Sequence, residues 1–432
     1  MERISRLHVN GLLGDCGLSP GPASGHKIGA LHAMAHPEDT TIKTFEFKLR
    51  INKSFVEACE RELEHSRQIY NAALAERISC YRITGASLGY AEQSRHLTEA
   101  RTLPEVKAHL RKIQQDALDR LDQAFNGFFR RIQNGEKPGF PRFKGKDRYH
   151  TFSQQYEKKR PCPIKGDKLR VPGVGTCRVR LSRPIEGQCK QLRITRRVDG
   201  WYALIVCEIP KPKPLPKTGQ TVGVDVGITS FATLSTGEEI ANPRHLKNAL
   251  DNLKKQQRWL SRKKKGSKRR AKQRVKVARA HLKVARCRKD FHHKISTDLV
   301  KRFDAITVED LNIRGMVKNR HLAQAINDVA WRSFFTMTQT KAESAGRVFE
   351  RVDPKYTSQI CSNCGHRQKM PLAIRIYECD KCGFVIGRDH NSAITIDRAG
   401  QARIHARGER RRSKKRERYG SRTQSASLRD KD

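Results

Sequence analysis

Two rhythms of hydrophobic spacing divide this 432-residue chain and predict a multidomain protein of mixed α+β and α/β class. In the first half a strand gives way to a long helical stretch and then to short strands, the pattern of a small barrel interrupted by a helical bundle. In the second half strands alternate with helices, as in a mixed sheet covered by helices. Between the halves, Lys211-Pro-Lys-Pro-Leu-Pro216 reads as a stiff Pro-rich linker.

Residues 1–40 carry Gly, Pro, His and Ser without a period and are expected to have no fold; Met34, shortly before the first patterned segment, is an alternative start. Phe45, Phe47, Leu49 and Ile51 alternate with Glu46, Lys48 and Arg50, the mark of a half-buried strand. Helical spacing follows from about Ser54 to Ile132. One core stripe is Phe55, Cys59, Leu63, Ile69, Tyr70 and Ala73; a second is Leu110, Ile113, Leu118, Leu121, Phe125, Phe128 and Ile132. Gly139-Phe-Pro-Arg-Phe-Lys144 then breaks the helices and mixes aromatic rings with bases. A hairpin is expected through Asp199-Gly200, between Leu192-Arg193-Ile194 and Tyr202–Val206.

Beyond the linker, Thr221–Val226, Phe231–Leu234, Ala305–Val308 and Arg347–Val352 read as strands. A basic helical stretch runs from about His245 to Arg302, a helix covers Leu322–Ser344, and a short helix opens near Asp389. From Ala402 to Asp432 the chain is basic and Ser-rich without an apolar pattern, and is expected to stay disordered until it meets nucleic acid.

Charge narrows the partners. With 89 Lys and Arg against 44 Asp and Glu the net charge is +45, an excess that a compact fold tolerates when a polyanion neutralises it. Nucleic acid is that polyanion, because each neutralised phosphate releases a counterion. No apolar run approaches the roughly 20 residues that span a bilayer, so no membrane partner is expected. The excess peaks between Asp251 and Lys294, with 19 Lys and Arg against two acids and a thin apolar seam of Leu260, Val275, Val277, Leu282 and Val284. Such a run tracks a phosphate backbone without reading its sequence. Candidate contacts are Arg142 and Lys144 in the first half, then Arg262, Lys263, Lys264, Lys265, Lys268, Arg269, Arg270, Arg288 and Lys289.

Of the twelve cysteines, eight are scattered and read as reduced thiols, which with the lack of a signal-peptide order at the N-terminus points to a reducing cytoplasm. The other four form Cys361-x-x-Cys364 and Cys379-x-x-Cys382, each pair followed by Gly (Gly365, Gly383). Two such knuckles supply four thiolates to one tetrahedral Zn²⁺, a closed and therefore structural site.

Three acids are candidates for chemistry. Asp225 lies in Val222-Gly-Val-Asp-Val-Gly227, where a buried carboxylate is costly unless paired or bound to metal. Glu309 ends the strand Ile306-Thr-Val-Glu; Asp310 competes with it, but strand alternation points Asp310 away. Asp389 sits where a loop enters a helix, and helix capping is the plainer role for it. Together, acids converging at a sheet edge can hold two divalent ions of hard type, Mg²⁺ or Mn²⁺, for phosphodiester hydrolysis. No Ser-His-Asp arrangement, thiol–imidazole pair or Gly-rich phosphate loop competes.

These segments resemble the TnpB family of transposon-encoded RNA-guided nucleases, relatives of type V CRISPR effectors. The resemblance rests on Gly223-Val-Asp-Val-Gly227, Leu260-Ser-Arg-Lys-Lys-Lys-Gly-Ser-Lys268, Val308-Glu-Asp-Leu-Asn312 with Gly315-Met316, Asp353-Pro-Lys-Tyr-Thr-Ser-Gln359 before Cys361-Ser-Asn-Cys-Gly365, and Arg388-Asp-His-Asn391, with Gly139–Lys144 in the first half. It extends from about residue 43 to 398. It implies a barrel-like wedge domain (41–52 and 137–210), an inserted helical recognition domain (53–136), a linker (211–217), an RNase H-like, RuvC-type nuclease domain (218–355 and 385–400) with an inserted zinc-ribbon (356–384), and a basic tail (401–432). It also implies that Asp225, Glu309 and Asp389 are catalytic, that the four cysteines bind zinc, and that guide RNA and double-stranded target DNA are the partners. A short motif beside the target would be read, and one site would cut both strands in turn. A prokaryotic, nucleoid-associated monomer is the expected state. Gly387 and Ser392 stand where relatives often carry an acid and Ala.

Alternative readings are a miniature CRISPR effector, a nuclease-inactive RNA-guided repressor, and a protein-guided resolvase or transposase on the same fold. The repressor reading requires a lost carboxylate, and all three are present.

Overall fold

The computed structural model describes residues 39–427 apart from 157–160, 244 and 372. The expectations for residues 1–38, Met34 included, lie outside the described residues. The first strand already opens inside the stretch expected to have no fold.

That strand, β1 (Thr40–Arg50), buries Phe45, Phe47 and Leu49 and turns Lys48 and Arg50 outward. It belongs to a seven-stranded sheet with β2 (Thr151–Gln155), β3 (Ile164–Lys165), β4 (Lys168–Val171), β5 (Gly175–Val179), β6 (Gln188–Arg197) and β7 (Gly200–Pro210), in the order β2-β6-β7-β1-β5-β4-β3. Every neighbouring pair is antiparallel. Residues 40–48 of β1 pair with β7 while Leu49 and Arg50 pair with β5. One strand thus serves two partners in succession, and the sheet curls into a half-barrel. Arg197 pairs with Gly200, so the β6–β7 hairpin turns on Val198 and Asp199, one position earlier than the sequence signal suggested.

The helical insertion is four helices: α1 (Lys53–Thr84), α2 (Tyr90–Ala100), the single turn α3 (Pro104–Lys107) and α4 (Arg111–Gln133). Asn52 caps α1 by accepting the Phe55 N–H at 2.9 Å, and Gly85, at φ 68°, ends it. Leu63, Leu74, Ile113 and Leu121 of the helices share one core with Phe152, Leu169, Leu192 and Ile205 of the sheet. The second stripe holds only to Phe125. Phe128 is half-buried, its ring edge-on to Phe140, and Ile132 is exposed.

The linker is anchored at its far end. Leu215 N–H donates to the Ala345 carbonyl and Arg347 to that of Pro216. Five strands follow: β8 (Thr221–Val226), β9 (Ser230–Leu234), β10 (Glu239–Ala241), β11 (Ala305–Glu309) and β12 (Val348–Val352), ordered β10-β9-β8-β11-β12. The β10-β9-β8 side is antiparallel; β8-β11 and β11-β12 are parallel.

Alternation splits this sheet into two unlike faces. Val222, Val224, Ile306 and Val308 meet Leu299, Phe303, Trp331 and Phe334 in a second core. The opposite parity, Thr221, Gly223, Asp225, Thr307, Glu309 and Glu350, lies towards the last helix. Gly223 admits that helix: a β-carbon there would collide with the carbonyl of Ala393 and the backbone of Asp397.

Three helical expectations need correction. The basic stretch is two helices, α5 (His245–Ser261) and α6 (Lys268–Arg302), folded back on each other around buried Leu253, Val277 and Ala280. Val275 of the expected seam is exposed. The Leu322–Ser344 helix, which follows the one-turn α7 (Ile313–Met316), is broken into α8 (Arg320–Val329) and α9 (Trp331–Ser344) by Ala330 at φ 53°, ψ 48°. The break turns Ile326, Val329, Trp331 and Phe334 onto the same core, and His292 donates to the freed Val329 carbonyl at 2.9 Å. The helix near Asp389 is not short: α10 runs Arg388–Ser427, through the segment expected to be disordered. The segment contains no proline, and its Arg, Lys, Glu and Gln are good helix formers. Arg407 holds the first part of it to the sheet by a two-point ion pair with Glu350, at 2.6 and 3.1 Å. No helix among the described residues is long and apolar enough to cross a membrane.

Candidate active site and metal centre

Parallel pairing of β8 with β11 sets Val224 beside Val308, so the next residues, Asp225 and Glu309, lie near the ends of neighbouring strands on the same face. Strands so paired lie about 4.8 Å apart. Asp389 approaches from the first turn of α10. Asp225 is half-buried, and its carboxyl is pushed well above the usual carboxylate range, first by burial and then by the charges of Glu309 and Asp389, with Arg388 opposing. The structure therefore brings Glu309 and Asp389 within electrostatic reach of Asp225. Burial also raises the carboxyl of Glu309, partly offset by the Thr357 hydroxyl, which donates to Oε1 at 2.6 Å.

Asp310, the competing acid, is exposed and faces Arg351 at 3.5 Å. Asp389 does not act as an isolated cap; Arg375 lies 3.8 Å from it and Arg388 donates to the Pro371 carbonyl. A carboxyl whose proton affinity is raised by neighbouring acids also attracts cations, and hard oxygens favour Mg²⁺ or Mn²⁺. The chemistry of three carboxylates suits such ions, although among the described residues only the four cysteines have their ligand atoms gathered within 4.8 Å of one another.

The four cysteines converge independently of the acids. Their sulfurs all lie within 4.8 Å of one another, with Cys361 and Cys382 3.8 Å apart and Cys364 and Cys379 3.6 Å apart. A tetrahedron of thiolates about 2.3 Å from zinc spaces its sulfurs about 3.8 Å apart, so the cluster could hold Zn²⁺. Gly365 and Gly383, at φ +73° and +66°, close the knuckles by donating to the carbonyls of Cys361 and Cys379, both at 2.9 Å. His366 pairs with Asp380 at 3.2 Å instead of joining the cluster.

The basic candidates divide by environment. Arg142, Arg262, Lys264, Lys265, Lys268, Arg269 and Lys289 are exposed, and Lys263 is half-buried. Three others serve the fold. Arg270 donates to the carbonyls of Leu260 and Lys263 at 2.7 and 2.9 Å, closing the α5–α6 turn. Arg288 pairs with Asp328 at 2.9 Å, and Lys144 lies over the Tyr70 ring. Flanking Arg142 in the chain, the rings of Phe140 and Phe143 are about half exposed, as is that of Phe129 on α4. Thr357 and Asn391 lie in motifs that carry the resemblance but had no role assigned from sequence, since a hydroxyl and an amide carry no chemical signature until their partners are known.

Residues 204–320 match the family model described as "Probable transposase", and residues 331–396 the "Cas12f1-like, TNB domain" model. A protein of Streptomyces pristinaespiralis named "Putative RNA-guided DNA endonuclease" is 35% identical over 367 residues, covering 82% of this chain and 89% of that protein. The chain belongs to the TnpB family. A second relative, "Putative RNA-guided DNA endonuclease InsQ" of Escherichia coli (strain K12), is 28% identical over 84% of this chain and 93% of its own length. Among solved structures, that of the mini-RNA-guided endonuclease CRISPR-Cas_phi3 aligns at TM-score 0.44 and 9% identity, covering 84% of this chain and 92% of that one. A likeness that low adds nothing to the sequence relationship.

Proposed function

We propose that this chain is an RNA-guided DNA endonuclease that cuts target DNA beside a short flanking motif at a single RuvC-type site. The observation that carries the reading is that Asp225 and Glu309 share one face of neighbouring strands, with Asp389, in the first turn of α10, within electrostatic reach of Asp225. The names of relatives aligned over most of the chain, and its +45 charge, support the nucleic-acid partners.

In this reading Asp225, Glu309 and Asp389 hold two Mg²⁺ or Mn²⁺ ions. When bound, these supply an activated water and stabilise the leaving 3′-oxygen of a phosphodiester. The chain's own part is placement. Asp225 and Glu309 are fixed by strand pairing, Thr357 occupies one Glu309 oxygen, and Asp389 is held by the start of α10. The four cysteines hold a structural Zn²⁺. Residues 41–52 and 137–210 form the wedge, 53–136 the recognition domain, 218–355 and 385–400 the nuclease domain, and 356–384 the zinc-ribbon. Guide and target lie along the exposed bases of α5 and α6, in a prokaryotic, nucleoid-associated setting.

Purification under native conditions tests the guide. A discrete RNA should accompany the chain, and its absence would remove the guided reading. Asp225→Ala should abolish cleavage of a matched target while leaving target binding intact; retained cutting would refute the catalytic assignment.

A further inference from the structure

We infer that the cysteine ribbon is the positioning frame of the carboxylate site, with Thr357 orienting Glu309 and Asn391 fixing the start of α10 beside Asp389. The inference rests on the nuclease reading and adds to it a role for residues outside the acid trio.

Thr357 is buried, four residues before Cys361. Its hydroxyl has one hydrogen and two acceptors in reach, Oε1 of Glu309 at 2.6 Å and the Pro354 carbonyl at 3.1 Å. The shorter contact, to a charged acceptor, takes the hydrogen, so one oxygen of ionised Glu309 has a fixed direction. The preceding residue, Tyr356, has φ 70°, rare outside glycine, and its carbonyl accepts from Gln359 and Ile360. The turn that presents Thr357 is therefore tied directly to the first knuckle.

Asn391 completes the frame. It is fully buried, and both ends of its amide are spent on the residues flanking Cys361. Oδ1 accepts from Ser362 N–H at 2.8 Å, and Nδ2 donates to the Ile360 carbonyl at 2.8 Å. Arg398, two helical turns on, also donates to the Ser362 carbonyl. Asp389 stands two residues before Asn391. A shift of the first knuckle thus reaches Glu309 through Thr357 and Asp389 through Asn391. The plainer reading is that these bonds only glue the ribbon to the helix, and the two readings differ in what they predict for metal binding.

The test is Mn²⁺ titration, by calorimetry, of the zinc-loaded full chain carrying Thr357→Val, which keeps the shape and removes the hydroxyl, or Thr357→Ser, which restores it. The Val variant should keep its zinc and its melting temperature but bind Mn²⁺ about 10-fold more weakly, as expected when an oriented metal ligand loses its partner. Half-maximal cleavage should need correspondingly more Mn²⁺, with the rate at saturating metal changed less, and Ser should recover both. Unchanged Mn²⁺ affinity in Thr357→Val, or no recovery in Thr357→Ser, overturns the inference and leaves the nuclease reading standing. Mn²⁺ binding by the unmodified chain that Asp225→Ala does not weaken would instead overturn the nuclease reading itself.

Discussion

Gly400 on α10 lies directly against Thr307 on β11, with no room for a β-carbon between them. Helix propensity alone would favour a larger residue at this position by up to about 1 kcal/mol. Overpacking against a buried strand costs roughly 1–3 kcal/mol and wins. Gly400→Val should therefore lower the melting temperature and weaken cleavage, since α10 also carries Asp389. A variant as stable as the parent would show that the helix does not seat on this face.

Asp225 gives a pH prediction. Its folded carboxyl is raised, so above the ordinary carboxylate range the metal-free folded state holds a proton that the unfolded chain has released. The penalty is absent at low pH and grows as pH rises through that window from about 3.9. In chelator at neutral pH, Asp225→Asn should melt higher than the parent, by about 2–4 °C for each 1 kcal/mol relieved. The gap should close below about pH 4 and shrink in saturating Mn²⁺. Equal melting across the range would mean that neither burial nor the neighbouring acids raise the Asp225 carboxyl.

Zinc removal should act on stability before chemistry. Cys379→Ser should lose bound zinc and lower the thermal stability of the C-terminal region, because ligation energy in such knuckles is folding energy. Unchanged metal content and melting would exclude a four-cysteine site.

The exposed bases should behave as additive phosphate partners. Replacing Arg262, Lys264 and Lys265 together by Ala should reduce the slope of log affinity against log salt by about 2–3, at roughly 0.9 for each phosphate no longer neutralised. Arg270→Ala should instead loosen the α5–α6 turn, which hydrogen exchange would report.

The rings beside Arg142 suggest a fifth measurement. Phe140→Ala and Phe143→Ala should each weaken nucleic-acid binding, by about 1–3 kcal/mol per base if an unpaired base stacks there. Reduced stability with undiminished binding would assign them to the core.

How far the sequence could be read depended on the range of the signal. Strand alternation around Phe45 and the Val-rich runs ending at Asp225 and Glu309 are local, and the strands stand where those patterns lie. The break at Ala330 was invisible because nothing in that stretch breaks a helix; the second core and the His292 bond impose it. Likewise α10 lacks an apolar stripe after residue 401, and it is held there by Arg403 and Arg407, whose partners lie some 50 residues back. Arg270 and Arg288 read as phosphate contacts because charge is legible in sequence and its pairing is not. The acids themselves were legible as types at strand ends, whereas Thr357 and Asn391 gain meaning only from the distances in the fold.

The alternating faces of the central sheet have a consequence for how such a chain can change. Its odd-numbered residues from Thr221 to Asp225 and Ala305 to Glu309 serve the site and the α10 seat, while the even-numbered ones between them fill the core. Substitutions within one set can drift with little effect on the other, so robustness and reactivity are inherited along interleaved tracks of a single strand. A one-residue deletion at the start of β11 would exchange the tracks at a stroke, delivering Asp310 to the site and an isoleucine–valine face to the helix.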